Sequence, residues 1–124
     1  MARVLVAEDE LELAQGLVEV LQAAGHEVHS AASGASALAL GRALAPDLVI
    51  SDWALASPPD GQTFIDQLRA ARPAVRAILM TGDPCARLRA WAAGDPALAL
   101  LEKPFSLADF RAVVARVLAP RSRA

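Results

Sequence analysis

Two rhythms alternate along this chain. Short runs that are almost wholly apolar, RVLVA (3–7), DLVIS (47–51), RAILM (76–80) and ALALL (97–101), predict strands buried on both faces. Between them lie stretches whose apolar residues recur every three or four positions, the mark of a helix with one buried stripe. HEVHSA (26–31) reads as a weaker, more polar strand. The first helix is predicted over 10–25, with Leu13, Leu17, Val18 and Leu21 as its stripe and Gly25 placed to end it. Ser33 caps a second over 34–45, which stops before Pro46. The third, 61–72, carries Phe64, Ile65 and Leu68 on one face and halts at Pro73. A short helix over 84–94 is closed by Gly94. The last begins at Ser106, where Asp109 in the third position resembles a capping box with Asp in place of Glu, and buries Phe110, Val113, Val114, Val117 and Leu118.

Strands that alternate with helices make an α/β fold: a five-stranded parallel sheet with helices on both faces, since parallel neighbours need crossovers. Ligands in such sheets bind beyond the carboxyl ends of the strands, where the strand order reverses. The first strand ends in Glu8, Asp9 and Glu10, the third in Asp52, the fourth in Thr81 and the fifth in Lys103. The second ends in nothing chemical, which fits a flavodoxin-type order, 2-1-3-4-5, with that strand at the edge.

Composition narrows the function classes. The 124 residues suit one domain, expected over 1–119 with 120–124 as a flexible tail. A net charge of −2 spread along the chain predicts no nucleic-acid or anionic-membrane surface. No apolar run approaches the roughly 20 residues that span a bilayer, and the N-terminus carries no signal-peptide pattern. The lone Cys85 predicts no internal disulfide and a cytoplasmic home. His26 and His29 are expected on the surface, and Trp91 between helix and sheet.

One count sharpens the picture. Of 12 cationic side chains 11 are arginine, and Lys103 is the only lysine. Ammonium is a compact point charge that fits beside an anion where a planar guanidinium does not. The anions are at hand, and Lys103 is expected to pair with Asp52 at rest. Glu8, Asp9 and Asp52 ionised against one protonated Lys103 leave about −2 at the converging strand ends, a charge that invites a hard divalent cation. Mg²⁺ suits few carboxylates completed by waters, and a metal-bound carboxylate beside an ammonium and a hydroxyl has the parts for phosphoryl transfer.

The stretches VLVAEDE, PDLVISDW followed by DG, MTG and LLEKPF, in this order and spacing, resemble the receiver domain of two-component response regulators. The resemblance covers residues 3–118. It implies that Asp52 accepts a phosphoryl group from a histidine kinase or histidine phosphotransfer protein. It also implies that Asp9, Asp52, the backbone carbonyl of Ala54 and, directly or through water, Glu8 hold Mg²⁺. Thr81 would hydrogen-bond the phosphoryl group and Lys103 neutralise it, with Lys103-Pro104 in cis. Such a chain is a signalling module and not a turnover enzyme, acting through protein partners, with a weak homodimer allowed. The same residues could form a receiver excised from a hybrid histidine kinase, a phosphoryl relay or sink.

Three features depart from the family pattern. Glu8 stands where Asp is more frequent. The loop DWALASPPDG has one residue more than the common pattern, with Ala56 at a usual proline, so its shape should differ. Leu100 occupies the place of a switching aromatic, which bears on output and not on phosphorylation. Rival readings fit less well. A haloacid-dehalogenase-type phosphohydrolase wants an acid two residues after its nucleophile, where Ala54 stands. A flavodoxin-like cofactor binder wants a phosphate cradle where EDE repels phosphate. A receiver that only binds partners has no need of the intact set Asp9, Asp52, Thr81 and Lys103.

Overall fold

A computed structural model describes residues 1–120. The tail expected over 120–124 therefore lies, apart from Pro120, outside the described residues. In chain order the elements are β1 (Arg3–Ala7), α1 (Leu11–Ala23), β2 (Glu27–Ala31), α2 (Gly34–Leu44), β3 (Leu48–Asp52), α3 (Gly61–Ala71), β4 (Arg76–Thr81), α4 (Ala86–Ala92), β5 (Leu98–Glu102) and α5 (Leu107–Leu118). The sheet order is β2-β1-β3-β4-β5, and every neighbouring pair is parallel.

Alternating strand residues feed two cores. Val4, Val6, Leu48, Ile50, Ile78 and Met80 meet Leu17 and Leu21 of α1 and Phe110, Val114 and Val117 of α5. Leu5, Ala7, Val49, Ala77 and Leu79 meet Ala37 of α2, Phe64, Ile65 and Leu68 of α3 and Leu88 of α4. Each such Leu or Phe contributes roughly 1.5–3 kcal/mol by leaving water. Central β3 is buried at every position, whereas edge strand β2 is buried at none, which explains its polar sequence. It is tied to its neighbour by Arg3 of β1, whose Nε donates to Glu27 Oε2 at 2.6 Å and whose guanidinium also reaches the Leu44 carbonyl, at the end of α2, at 2.7 Å.

Element ends differ from the sequence expectation by at most two residues, and the differences have causes. Ladder pairing continues through Asp52↔Met80 and Thr81↔Glu102, so Asp52 and Thr81 close their strands and do not follow them. Helix α1 ends at Ala23, and Gly25 (φ +93°) takes the left-handed turn just beyond the cap. A complete capping box forms at Ser33 with Ser36. At Ser106 one half is made: its hydroxyl accepts from the Asp109 amide at 3.0 Å. His26 is half-buried and not a plain surface residue, because its Nδ1 accepts from the Ala2 amide at 3.0 Å. Trp91 does pack on the sheet face, and its Nε1 also donates to Asp66 of α3 at 2.9 Å.

Candidate functional site

Glu8, Asp9, Asp52, Thr81 and Lys103 stand at the carboxyl end of the sheet because β1, β3, β4 and β5 run in parallel and end there together. Asp52 closes fully buried β3 and is itself 9% exposed. Thr81 closes β4 and is buried. Lys103 follows β5, and its backbone amide donates to the Thr81 carbonyl at 2.8 Å, tying the two strand ends together. The Lys103–Pro104 peptide is cis, as the resemblance implied.

Lys103 Nζ lies 3.1 Å from Glu8 Oε1 and 3.3 Å from Asp52 Oδ1. The sequence pointed to an Asp52–Lys103 pair, and the ammonium in fact bridges two carboxylates. Glu8 is the more committed partner. Its side chain is sealed from solvent, Oε1 accepts from Lys103, and Oε2 accepts from the Asp9 amide at 3.0 Å. The extra methylene that distinguishes Glu from Asp lets this side chain fold back over its own backbone and still reach the lysine.

Burial and, after it, the charge of Asp52 push the Glu8 carboxyl from its ordinary 4.5 up to about 7, against the Lys103 contacts that pull it down. Burial likewise pulls the Lys103 ammonium down, but the Glu8 hydrogen bond and the Asp52 charge outweigh it and hold Lys103 above the ordinary lysine value. The acidic excess is thus only partly neutralised. Oxygens of Glu8, Asp9 and Asp52 all lie within 4.8 Å of one another, a set of hard donors of the kind a small divalent cation takes. Asp9 is exposed, so its carboxylate can be approached from solvent.

Not every candidate converges. Glu10 is the exposed N-cap residue of α1, and its side chain makes no capping bond. Thr81 Oγ1 accepts from the Asp83 amide at 3.1 Å, so in this state it serves the turn that follows β4. Leu100 is half-buried on the α2–α3–α4 side, packed against the core there as Trp91, Leu98 and Cys85 also are.

The loop after Asp52 is closed at its base by the Gly61 amide donating to the Trp53 carbonyl at 2.9 Å. Asp60, which carried no sequence expectation, caps α3 by accepting from the Thr63 amide at 2.8 Å. An Asp four residues before the first residue of a helical stripe was the available signal. Gly34 was missed altogether, though the Gly34 amide donates to the Ser57 carbonyl of this loop at 3.3 Å. Nothing in the sequence around Gly34 announces a contact 23 residues away.

The response regulator receiver domain family matches residues 4–115 of this chain. The chain belongs to that family. Relatives with the same receiver include the sensor kinase CckA of Brucella abortus, 34% identical over 119 residues, which cover 94% of this chain and 12% of the kinase. A protein-glutamate methylesterase/protein-glutamine glutaminase of Anaeromyxobacter dehalogenans is 41% identical over 109 residues, covering 84% of this chain and 31% of the relative. The chain thus spans well under half the length of these relatives. Among solved structures, the non-phosphorylated HemR receiver domain from Leptospira biflexa has a TM-score of 0.85 at 27% identity, with both chains covered completely. Vibrio cholerae CheY4 has a TM-score of 0.83 at 29% identity, over 95% of this receiver and 99% of that chain. Receivers are signalling modules of two-component systems, and the dehalogenase and flavodoxin-type readings fall away. No helix among the described residues is long and apolar enough to cross a membrane.

Proposed function

We propose that this receiver takes a phosphoryl group onto Asp52 from the phosphohistidine of a histidine kinase or histidine phosphotransfer protein, in a reaction that needs Mg²⁺. One observation carries the reading: a largely buried strand-end aspartate lies 3.3 Å from the only lysine, among oxygens of two further acids within 4.8 Å. In the transfer an Asp52 oxygen forms a bond to phosphorus as the P–N bond breaks, and the imidazole leaves with the electron pair. Lys103 faces the oxygens on which charge collects, and the Thr81 hydroxyl, freed from the Asp83 amide, can donate to one of them. Asp9, Asp52 and the Ala54 carbonyl would hold the metal, with Glu8 contributing directly or through water. Bound there, Mg²⁺ supplies positive charge to the carboxylates and to the phosphoryl oxygens.

Glu8 has both oxygens engaged, so its part in this reading is chiefly to fix Lys103 beside Asp52. The chain is a phospho-acceptor and not a turnover enzyme, with slow loss of its own phosphoryl group as its single hydrolytic act. Residues 1–119 act as the receiver unit, in the cytoplasm where phosphohistidine donors form. Treatment with acetyl phosphate and Mg²⁺, followed by intact mass measurement, tests the assignment. Wild type gains one phosphoryl mass, and Asp52→Asn or wild type with chelator gains none. Equal labelling of wild type and Asp52→Asn removes Asp52 from the role.

A further inference from the structure

The loop between β3 and α3 is held at two glycines, and each has backbone where a side chain would start. At Gly61 a Cβ would sit 2.1 Å from the Asp52 carbonyl oxygen. At Gly34, the first residue of α2, it would sit 2.0 Å from the Pro59 carbonyl oxygen, 2.6 Å from the Pro59 nitrogen and 2.8 Å from its ring carbon Cδ. Real Cβ atoms do not approach that closely, and backbone cannot yield as a side-chain tip can. The Gly34 amide also donates to the Ser57 carbonyl at 3.3 Å, so the loop is bonded to α2 as well as packed on it. By contrast Gly41, near the other end of the same helix, would place a Cβ 3.1 Å from Leu68 Cδ2 and 3.4 Å from Leu5 Cδ2, both ends of movable side chains.

Between the two anchors lies Ala54. We infer that Gly34 is a positioning residue for the metal site: by letting Ser57 and Pro59 seat on the start of α2, it fixes the path of the loop that brings the Ala54 carbonyl to the cation. The inference rests on the proposed Mg²⁺ site. It adds a residue of α2, an element that supplies no ligand. A carbonyl ligand is only as well placed as the backbone that carries it, and residues that orient ligands typically change metal affinity 10- to 100-fold when altered. Loop 53–60 is mostly exposed, whereas α2 is packed on the sheet, so a methyl at position 34 displaces the loop and leaves the helix in place.

The test is a titration with Mg²⁺ alone, followed by the fluorescence of Trp53, beside Asp52, in wild type, Gly34→Ala, Gly41→Ala and Pro59→Gly. Gly34→Ala is expected to weaken Mg²⁺ binding about tenfold or more with unchanged far-ultraviolet circular dichroism. Gly41→Ala alters stability and leaves Mg²⁺ affinity at the wild-type value, which separates positioning from general damage to α2. Pro59→Gly loosens the same seat without a clash and weakens Mg²⁺ binding in the same direction. Wild-type affinity in Pro59→Gly overturns the inference whether or not Gly34→Ala folds, as does an equal loss in Gly34→Ala and Gly41→Ala. A wild type that takes no Mg²⁺ at all removes the site itself, a distinct failure that takes this inference with it.

Discussion

Glu8 carries the electrostatic tension of the site, and its consequences can be read from pH. Its carboxyl titrates near 4.5 in the unfolded chain and is pushed up to about 7 in the fold, first by burial and then by Asp52. The folded state therefore holds this proton more tightly than the unfolded state. Stability is greatest below about pH 4.5 as far as this group is concerned, and it is lost as pH rises toward 7. A move of that size corresponds to on the order of 3 kcal/mol. Urea unfolding of the metal-free protein should show wild type losing stability between pH 5 and 8 while Glu8→Gln changes far less; parallel curves would show that Glu8 is not strained. Lys103, held between carboxylates at 3.1 and 3.3 Å, gives the second residue-scale expectation. Lys103→Arg keeps the charge, but a planar fork cannot occupy the gap a point charge fills. The variant should fold, yet amide shifts on adding Mg²⁺ and beryllofluoride, a phosphoryl mimic, should be largely lost; wild-type shifts would refute the argument from size. Both residues were legible as chemistry because each ends or follows an apolar run. The back-folded side chain of Glu8 was not, since a strand end fixes where a side chain starts and not which rotamer it takes.

Among the elements, α4 and β5 decide how phosphorylation could travel. Helix α4 is seven residues long, and its N-cap residue, Cys85, makes no side-chain capping bond. Polar contacts bind it and the turn after it to α3: Arg87 to Gln62 at 2.6 Å, Trp91 to Asp66 at 2.9 Å and Asp95 to Arg69 at 3.0 Å. Leu100 packs against the core on the side of the sheet that α4 covers, and leucine, with no hydroxyl to satisfy, can stay packed whether or not the site is phosphorylated. A two-state element shifts only by the difference in its interactions with the two states, and here that difference is small. With Mg²⁺ and beryllofluoride, amides from Cys85 through Leu101 should therefore move less than those flanking Asp52. Movements of equal size would show that Leu100 is no obstacle to the α4–β5–α5 face, and smaller ones favour a relay or sink role. The apolar strands and the stripes of α1, α3 and α5 were plain in the sequence, because burial on two faces or one leaves a periodic trace. The α3–α4 contacts left none: they join polar residues 25 or 26 positions apart, and polar residues on helices are ordinarily solvated.

The whole molecule joins metal, charge and stability. Strand order and the convergence of four strand ends could be argued before any coordinates, because a bare second strand belongs at an edge. The seating of the β3–α3 loop on α2 could not, because a glycine contact is made by an absent side chain. The acidic cluster is part of the folded state alone, so a cation that binds it stabilises the fold by mass action. At ten times its dissociation constant Mg²⁺ should contribute about 1.4 kcal/mol, or about 5 °C in melting temperature for a domain of this size. Asp9 is the acid best placed to separate metal binding from charge relief, since it is exposed and its own side chain is not among the contacts that hold Lys103. Asp9→Asn removes one negative charge from a crowded set and should raise the melting temperature of the metal-free protein while abolishing the rise with Mg²⁺. Potassium chloride at matched ionic strength gives the control, because screening alone would lift wild type with either salt. If Asp9→Asn still melts higher with Mg²⁺ by the wild-type increment, Asp9 is not a ligand. If its metal-free melting temperature falls, repulsion among the three acids is not what the fold works against.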